Sequence, residues 1–182
     1  MPTISRMYDN YADAVSVVEA LEAERLPNHE ISMVAQENAA GRTVETERRA
    51  ADTDTGTGTA TGATTGGVVG GAIGLLTGLG LMAIPGVGPL VAAGWLATTL
   101  AGVGVGAATG GLIGALTSSG VSHEEAEVYE EGVRRGSTLV TVRVPEGADT
   151  AHLNLLMDRP SATDWQARRS EFQTAGWKPV VR

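Results

Sequence analysis

The hexapeptide Gly78-Leu79-Gly80-Leu81-Met82-Ala83 has the spacing G-x-G-x-x-A, which lets a dinucleotide pyrophosphate approach a helix N-terminus. That chemistry needs a strand before the turn, a helix after it and a carboxylate about 20 residues on. Here the pattern places the motif inside a helix, and no acidic residue follows before Glu124. A dinucleotide site is therefore not expected. His123-Glu124-Glu125-Ala126-Glu127 offers a histidine and carboxylates but no second histidine four residues on. Ser122-x-x-Glu125 reads better as a helix-capping box. His29 and His152 have no neighbouring ligand pattern and read as surface residues. Asp52 and Asp54 lie in a Thr/Gly run, at best a weak cation site. No G-x-S-x-G elbow is present, and the middle of the chain has no lysine for a phosphate loop. The absence of cysteine excludes disulfides, thiolate metal sites and thiol nucleophiles. No residue emerges as catalytic, cofactor-binding or metal-ligating, so the expectation is a protein that is not an enzyme and needs no cofactor.

Charge narrows the partners. The net charge is −8 with a sequence pI near 4.8, and the arginines are scattered in ones and twos. Nothing resembles the basic stripe that displaces counterions from nucleic acid. The opening Met1-Pro2-Thr3-Ile4-Ser5-Arg6 lacks a basic region followed by an apolar core, so no secretory signal is expected. A mean hydropathy of +0.02 suggests an ordinary soluble protein, but the average conceals a partition. Between Asp54 and Glu124 there is no Asp, Glu, Lys or Arg, where ordinary globular sequence carries roughly one charge in four residues.

The elements follow this partition. Residues 1–36 read as the first half of an α/β domain. A strand at Pro2–Tyr8 leads to a helix capped by Asn10 and stopped near Pro27, and a second strand follows at His29–Gln36. Residues 37–65 read as a flexible Thr/Gly/Asp linker. Residues 121–182 read as the second half: a helix from Ser122 closed by Gly136, a strand over Thr138–Val144, and helices near Thr150–Asp158 and Thr163–Ala175. The fold expected is α+β, a small ferredoxin-like βαβ…αβ(α) sandwich, with Trp177 packing the last helix against the sheet. Neither half has enough strands to be stable alone.

Residues 66–120 are the insertion. Gly66, Gly70, Gly74 and Gly78 fall four apart, and so do Gly102, Gly106, Gly110 and Gly114. Such spacing puts each set on one helix face, where a second backbone can approach closely. Pro85, Gly86, Gly88 and Pro89 form a turn over residues 84–89, so the pattern predicts a glycine-zipper helical hairpin. Eight glycines inside helices cost on the order of 8 kcal/mol relative to alanine in water. Close packing in a bilayer would offset that. Arms of about 28 and about 40 Å compare with a hydrocarbon core about 30 Å thick, and Trp95 would suit an interfacial anchor. The primary expectation is membrane insertion with self-association along the glycine faces, lipid as a second partner and the α/β domain on the cytoplasmic side of a bacterial inner membrane. The alternative is a cytoplasmic scaffold or shell whose hairpins form the buried wall of a large homo-oligomer.

Four stretches together carry a family resemblance: Tyr8-Asp9-Asn10-Tyr11-Ala12-Asp13-Ala14, Ile31–Ala35, Ala83-Ile84-Pro85-Gly86-Val87-Gly88-Pro89, and Glu130–Val140. With these the chain resembles bacterial general stress proteins of the heat-induced YflT type, up to about Val144. The resemblance implies a bacterial, cytoplasm-facing, stress-linked protein with a Gly-rich hydrophobic insertion. It carries over no catalytic residue.

Overall fold

The computed structural model describes residues 2–24, 30–38, 80–84, 88–102, 111–158 and 162–179. Six strands form one sheet: β1 (Thr3–Tyr8), β2 (Ile31–Gln36), β3 (Gly80–Ile84), β4 (Gly88–Gly94), β5 (Thr138–Arg143) and β6 (Ala162–Thr163). Their order is β3-β4-β2-β5-β1-β6, with every neighbouring pair antiparallel. The helices are α1 (Tyr11–Ala23), α2 (Trp95–Gly102), α3 (Gly111–Ser118), α4 (His123–Arg134), α5 (Thr150–Met157) and α6 (Trp165–Thr174). The fold is α+β.

Period-2 alternation decides where each strand residue goes. Ile4 and Tyr8 of β1, Ile31, Met33 and Ala35 of β2, Val91 and Ala93 of β4, and Val140 and Val142 of β5 share a core with α1 and α5. Met7, Val34, Leu90, Ala92 and Leu139 point the other way, into a core with α2, α3, α4 and α6. The sheet is thus covered on both faces, and β2 and β5 are buried at every position but their last. Trp177 packs on the second core, edge-on to Phe172 at 6.3 Å between centroids.

The helix ends follow local chemistry. Asn10 Oδ1 accepts from Asp13 N at 2.8 Å, and Asp149 and Asp164 cap α5 and α6 in the same way. Ser122 Oγ accepts from Glu125 N at 3.3 Å. The reciprocal half of the expected capping box is replaced, because the Glu125 carboxylate accepts from Tyr129 Oη at 2.8 Å instead. Helix α4 ends in a Schellman motif: Ser137 N donates to Gly132 O and Gly136 N to Val133 O, with Gly136 at φ 101°.

The insertion departs from the helical hairpin expected over 66–84 and 90–116. Residues 80–84 and 88–94 are not helical; they form the β3–β4 hairpin, with Ile84 opposite Gly88 and Gly80 opposite Ala92. The chain does reverse where the Pro/Gly run lies, but between strands. Pro89 sits where β4 pairs with β3 but beyond its pairing with β2, so its missing N–H interrupts little of the sheet. After Gly94 the chain becomes helical: α2 packs on β2 and β4, α3 packs on α4, and the two pack on each other. Gly94 adopts φ 76°, and a Cβ there would stand 2.0 Å from Ile31 O, so only glycine fits this strand-to-helix corner. The buried Ser32 fastens the corner, its Oγ donating to Ala93 O at 2.7 Å and accepting from Leu96 N at 3.2 Å. No helix among the described residues is long and apolar enough to cross a membrane.

Candidate functional site

The corner between β4 and α2 stands over the end of β5 and the α3–α4 connection. Together they enclose a surface hollow of about 490 Å³ lined by Trp95, Thr99, Ser118, Ser119, Gly120 and Arg143. Arg143 ends β5 and reaches across to Glu30, just before β2, donating from Nε to Glu30 Oε2 at 2.9 Å. Its guanidinium carbon lies 4.7 Å from the centre of the Trp95 ring, a cation–π contact that fixes the plane of the group. Trp95 is buried and Arg143 about one-third exposed. The three hydroxyls at the rim are held by their own helices: Thr99 donates to Trp95 O, Ser118 to Ala115 O and Ser119 to Leu116 O. Ser119 O also accepts from Thr3 Oγ1 at 2.7 Å, which fastens this loop to β1.

Other buried polar groups are committed to structure. Tyr8 Oη donates to Met157 O at 2.7 Å, joining β1 to α5. Tyr129 lies 3.0 Å from Ser5 O and 2.8 Å from the Glu125 carboxylate, joining α4 to β1. Burial, reinforced by the Glu125 charge, pushes the Tyr129 phenol far above its ordinary value of 10, so it stays protonated. Arg168 is buried and reaches Asp9, Thr163 and Glu171, tying α6 to the end of β1. Glu131 is buried on α4 and accepts from Arg134 and from Arg135 Nε, while Arg135 also sits 4.6 Å over the Phe172 ring. Tyr8, Tyr129 and Arg168 are thus contacts between elements, and Glu131 pairs within its own helix end.

Several sites read from the sequence lie outside the described residues: Gly66, Gly70, Gly74, Gly78, Gly106, Gly110, Pro85 and Gly86. So do His29, Asp52 and Asp54. Gly102 ends α2, and Gly88 and Pro89 open β4. Gly114 lies in α3, and a Cβ added there would meet nothing within 4 Å. At Gly132 of α4 it is a side chain that comes close: a Cβ there would stand 1.9 Å from Met7 Sδ. Of the dinucleotide spacing at 78–83, residues 80–83 lie in β3, a strand and not a helix, and the first two residues lie outside the described ones. Among the described residues no group of three or more His, Cys, Asp and Glu could hold a metal.

Arg143, Glu30 and Trp95 were not legible as a group. They lie at the end of β5, just before β2 and at the start of α2, and only the sheet order brings them together. Trp95 reads in the sequence as an interfacial anchor; in the fold its ring is covered by Arg143.

No curated protein and no solved structure matches the chain. Residues 3–88 match the family described as the heat-induced stress protein YflT domain. The match runs from β1 to the first residue of β4, so Glu130–Val140 lies beyond it. The resemblance carried by Tyr8–Ala14, Ile31–Ala35 and Ala83–Gly88 is thereby shown, and over residues 3–88 the chain is similar to the heat-induced stress protein YflT domain.

Proposed function

We propose that this protein is a non-enzymatic, stress-associated protein that assembles with copies of itself through the outer edge of β3. The stress association rests on the family match. One observation carries the assembly reading: β3 ends the sheet, with β4 on one side and no strand on the other among the described residues. Its sequence, Gly80-Leu81-Met82-Ala83-Ile84, has no charge and no proline. Edge strands of monomeric proteins usually carry such residues to prevent pairing with another chain. The neutrality of the strand also lets two copies of a chain with net charge −8 meet there without local repulsion. A non-catalytic role is supported by the use of Tyr8, Tyr129 and Arg168 in contacts between elements.

The core is read as ferredoxin-like. The order β2-β5-β1-β6, with α1 and α5 on one face, supports that reading. The neutral residues from β4 onward then contribute to a second layer buried in protein: Leu90, Leu96, Leu112 and Leu116 are fully covered. This favours the scaffold alternative over a bilayer hairpin, and a cytoplasmic assembly over an inner-membrane location.

Sedimentation of the full chain, with and without detergent, tests the proposal. The expected result is an oligomer that is independent of detergent and that Met82→Lys dissociates while circular dichroism keeps its strand and helix signal. A monomer at all concentrations, or an oligomer unchanged by M82K, overturns assembly through β3. Recovery only in detergent overturns the scaffold reading in favour of the membrane.

A further inference from the structure

The Nε edge of the Arg143 guanidinium is taken by Glu30, but its two Nη groups have no hydrogen-bond partner among the described residues. A guanidinium presents its donors in a rigid fork, and the free end-on edge matches two oxygens of a carboxylate or phosphate. The plane of that fork is set on both sides, by the Glu30 bond and by the Trp95 ring, so little ordering remains for binding. Thr99, Ser118 and Ser119 line the same hollow, and each hydroxyl can donate to an occupant in exchange for the bond it makes to its own helix carbonyl. Gly120, at φ 94°, keeps it open: no atom lies within 4 Å of where its Cβ would be.

We infer that this hollow is a binding site for a small oxyanion free in solution, a carboxylate or phosphate held end-on by Arg143 and ringed by the three hydroxyls. Glu30 neutralises much of the attraction of Arg143, so binding is weak, in the millimolar range, and directed by geometry more than by charge. Because the hollow joins α2 and the α3–α4 connection to β5, an occupant links the neutral insertion to the charged core and stabilises the folded chain by mass action.

The test is a titration of the full-length protein with inorganic phosphate and with acetate, at constant ionic strength against chloride, followed by the Trp95 indole N–H resonance. The resonance is assigned by its loss in Trp95→Phe. The expected result is a saturable shift with at least one of the two anions and none with chloride. Arg143→Lys keeps the charge but loses the fork, and should weaken binding at least tenfold. Because that variant also loses the Glu30 bond, Thr99→Phe serves as the second: it fills the hollow, leaves Arg143 and Glu30 in place, and should abolish the shift with helix content retained. No shift with either anion overturns the site. So does an equal shift with chloride, or a shift that survives in folded T99F.

Discussion

A single glycine and a single carboxylate illustrate what individual residues contribute to this fold. At Gly94 the positive φ and the 2.0 Å approach to Ile31 O act together, and no rotamer change relieves either. Gly94→Ala is expected to destabilise the protein by roughly 2 kcal/mol or more. Denaturant unfolding measures this; an alanine variant with the parent midpoint would show that the corner is not fixed by its backbone. Glu130 works in the other direction. Burial raises its pKa above the ordinary 4.5, and the charges of Glu127 and Glu131 add to this, against the opposing effects of Arg134 and the Ile113 backbone. A carboxyl with a raised folded pKa contributes its full stability below pH 4.5 and loses it as pH rises through the folded value. Glu130→Gln should therefore raise the melting temperature at neutral pH and match the parent at pH 4. A variant less stable at neutral pH would mean that the pairing with Arg134 outweighs burial.

Elements in the charged stretches were legible almost to the residue except β6, where the reading began a helix at Thr163, and those in the neutral stretch were not. Asn10, Ser122 and Gly136 mark helix ends whose hydrogen bonds the chain actually makes, and β5 has the β-branched run of a buried strand. In the insertion the signal was ambiguous in kind. Leu90-Val91-Ala92-Ala93 is apolar at every position because alternate residues enter opposite cores, and such a run fits a buried strand and a buried helix equally well. The four-residue glycine spacing then tipped the reading to helix, although sheet pairing claims 80–84 and 88–94. The Arg143 hollow had no local signature at all. Contacts between helices also carry a testable charge effect. His152 of α5 lies 3.0 Å from Glu24 at the C-cap of α1, and that hydrogen bond, with the Glu24 charge, raises the histidine pKa above 6.5. The contact is complete below pH 6.5 and lost as pH rises through the raised value. Titration of the His152 ring by NMR should show a pKa above the ordinary value, returning towards it in Glu24→Gln. An unshifted histidine in the parent would show that α1 and α5 are not held in this register.

At the scale of the whole molecule, the sheet order decides which parts of the chain can fold alone. β1 and β2 are joined by α1 but do not touch; β5, more than a hundred residues later, lies between them and pairs with both. The register runs from Thr3 opposite Arg143 to Tyr8 opposite Thr138 on one side, and from Ile31 opposite Val142 to Val34 opposite Leu139 on the other. Without β5 the two early strands have no hydrogen-bonding neighbour in common, and α1 would cover a sheet with its centre missing. An isolated strand or pair of strands is at best marginal in water. Residues 1–50 expressed alone should therefore show no cooperative thermal transition, and neither should residues 121–182, whose β5 lacks β1 and β2. Mixing the two fragments supplies the three central strands and both faces of helices except α2 and α3. Part of the far-UV helix signal should return on mixing, without a parent-like transition, because Leu90, Leu96, Leu112 and Leu116 would be missing from the second core. A sharp transition from residues 1–50 alone would mean that β1 and β2 can pair directly. The sheet order would then be a late arrangement and not the condition for folding.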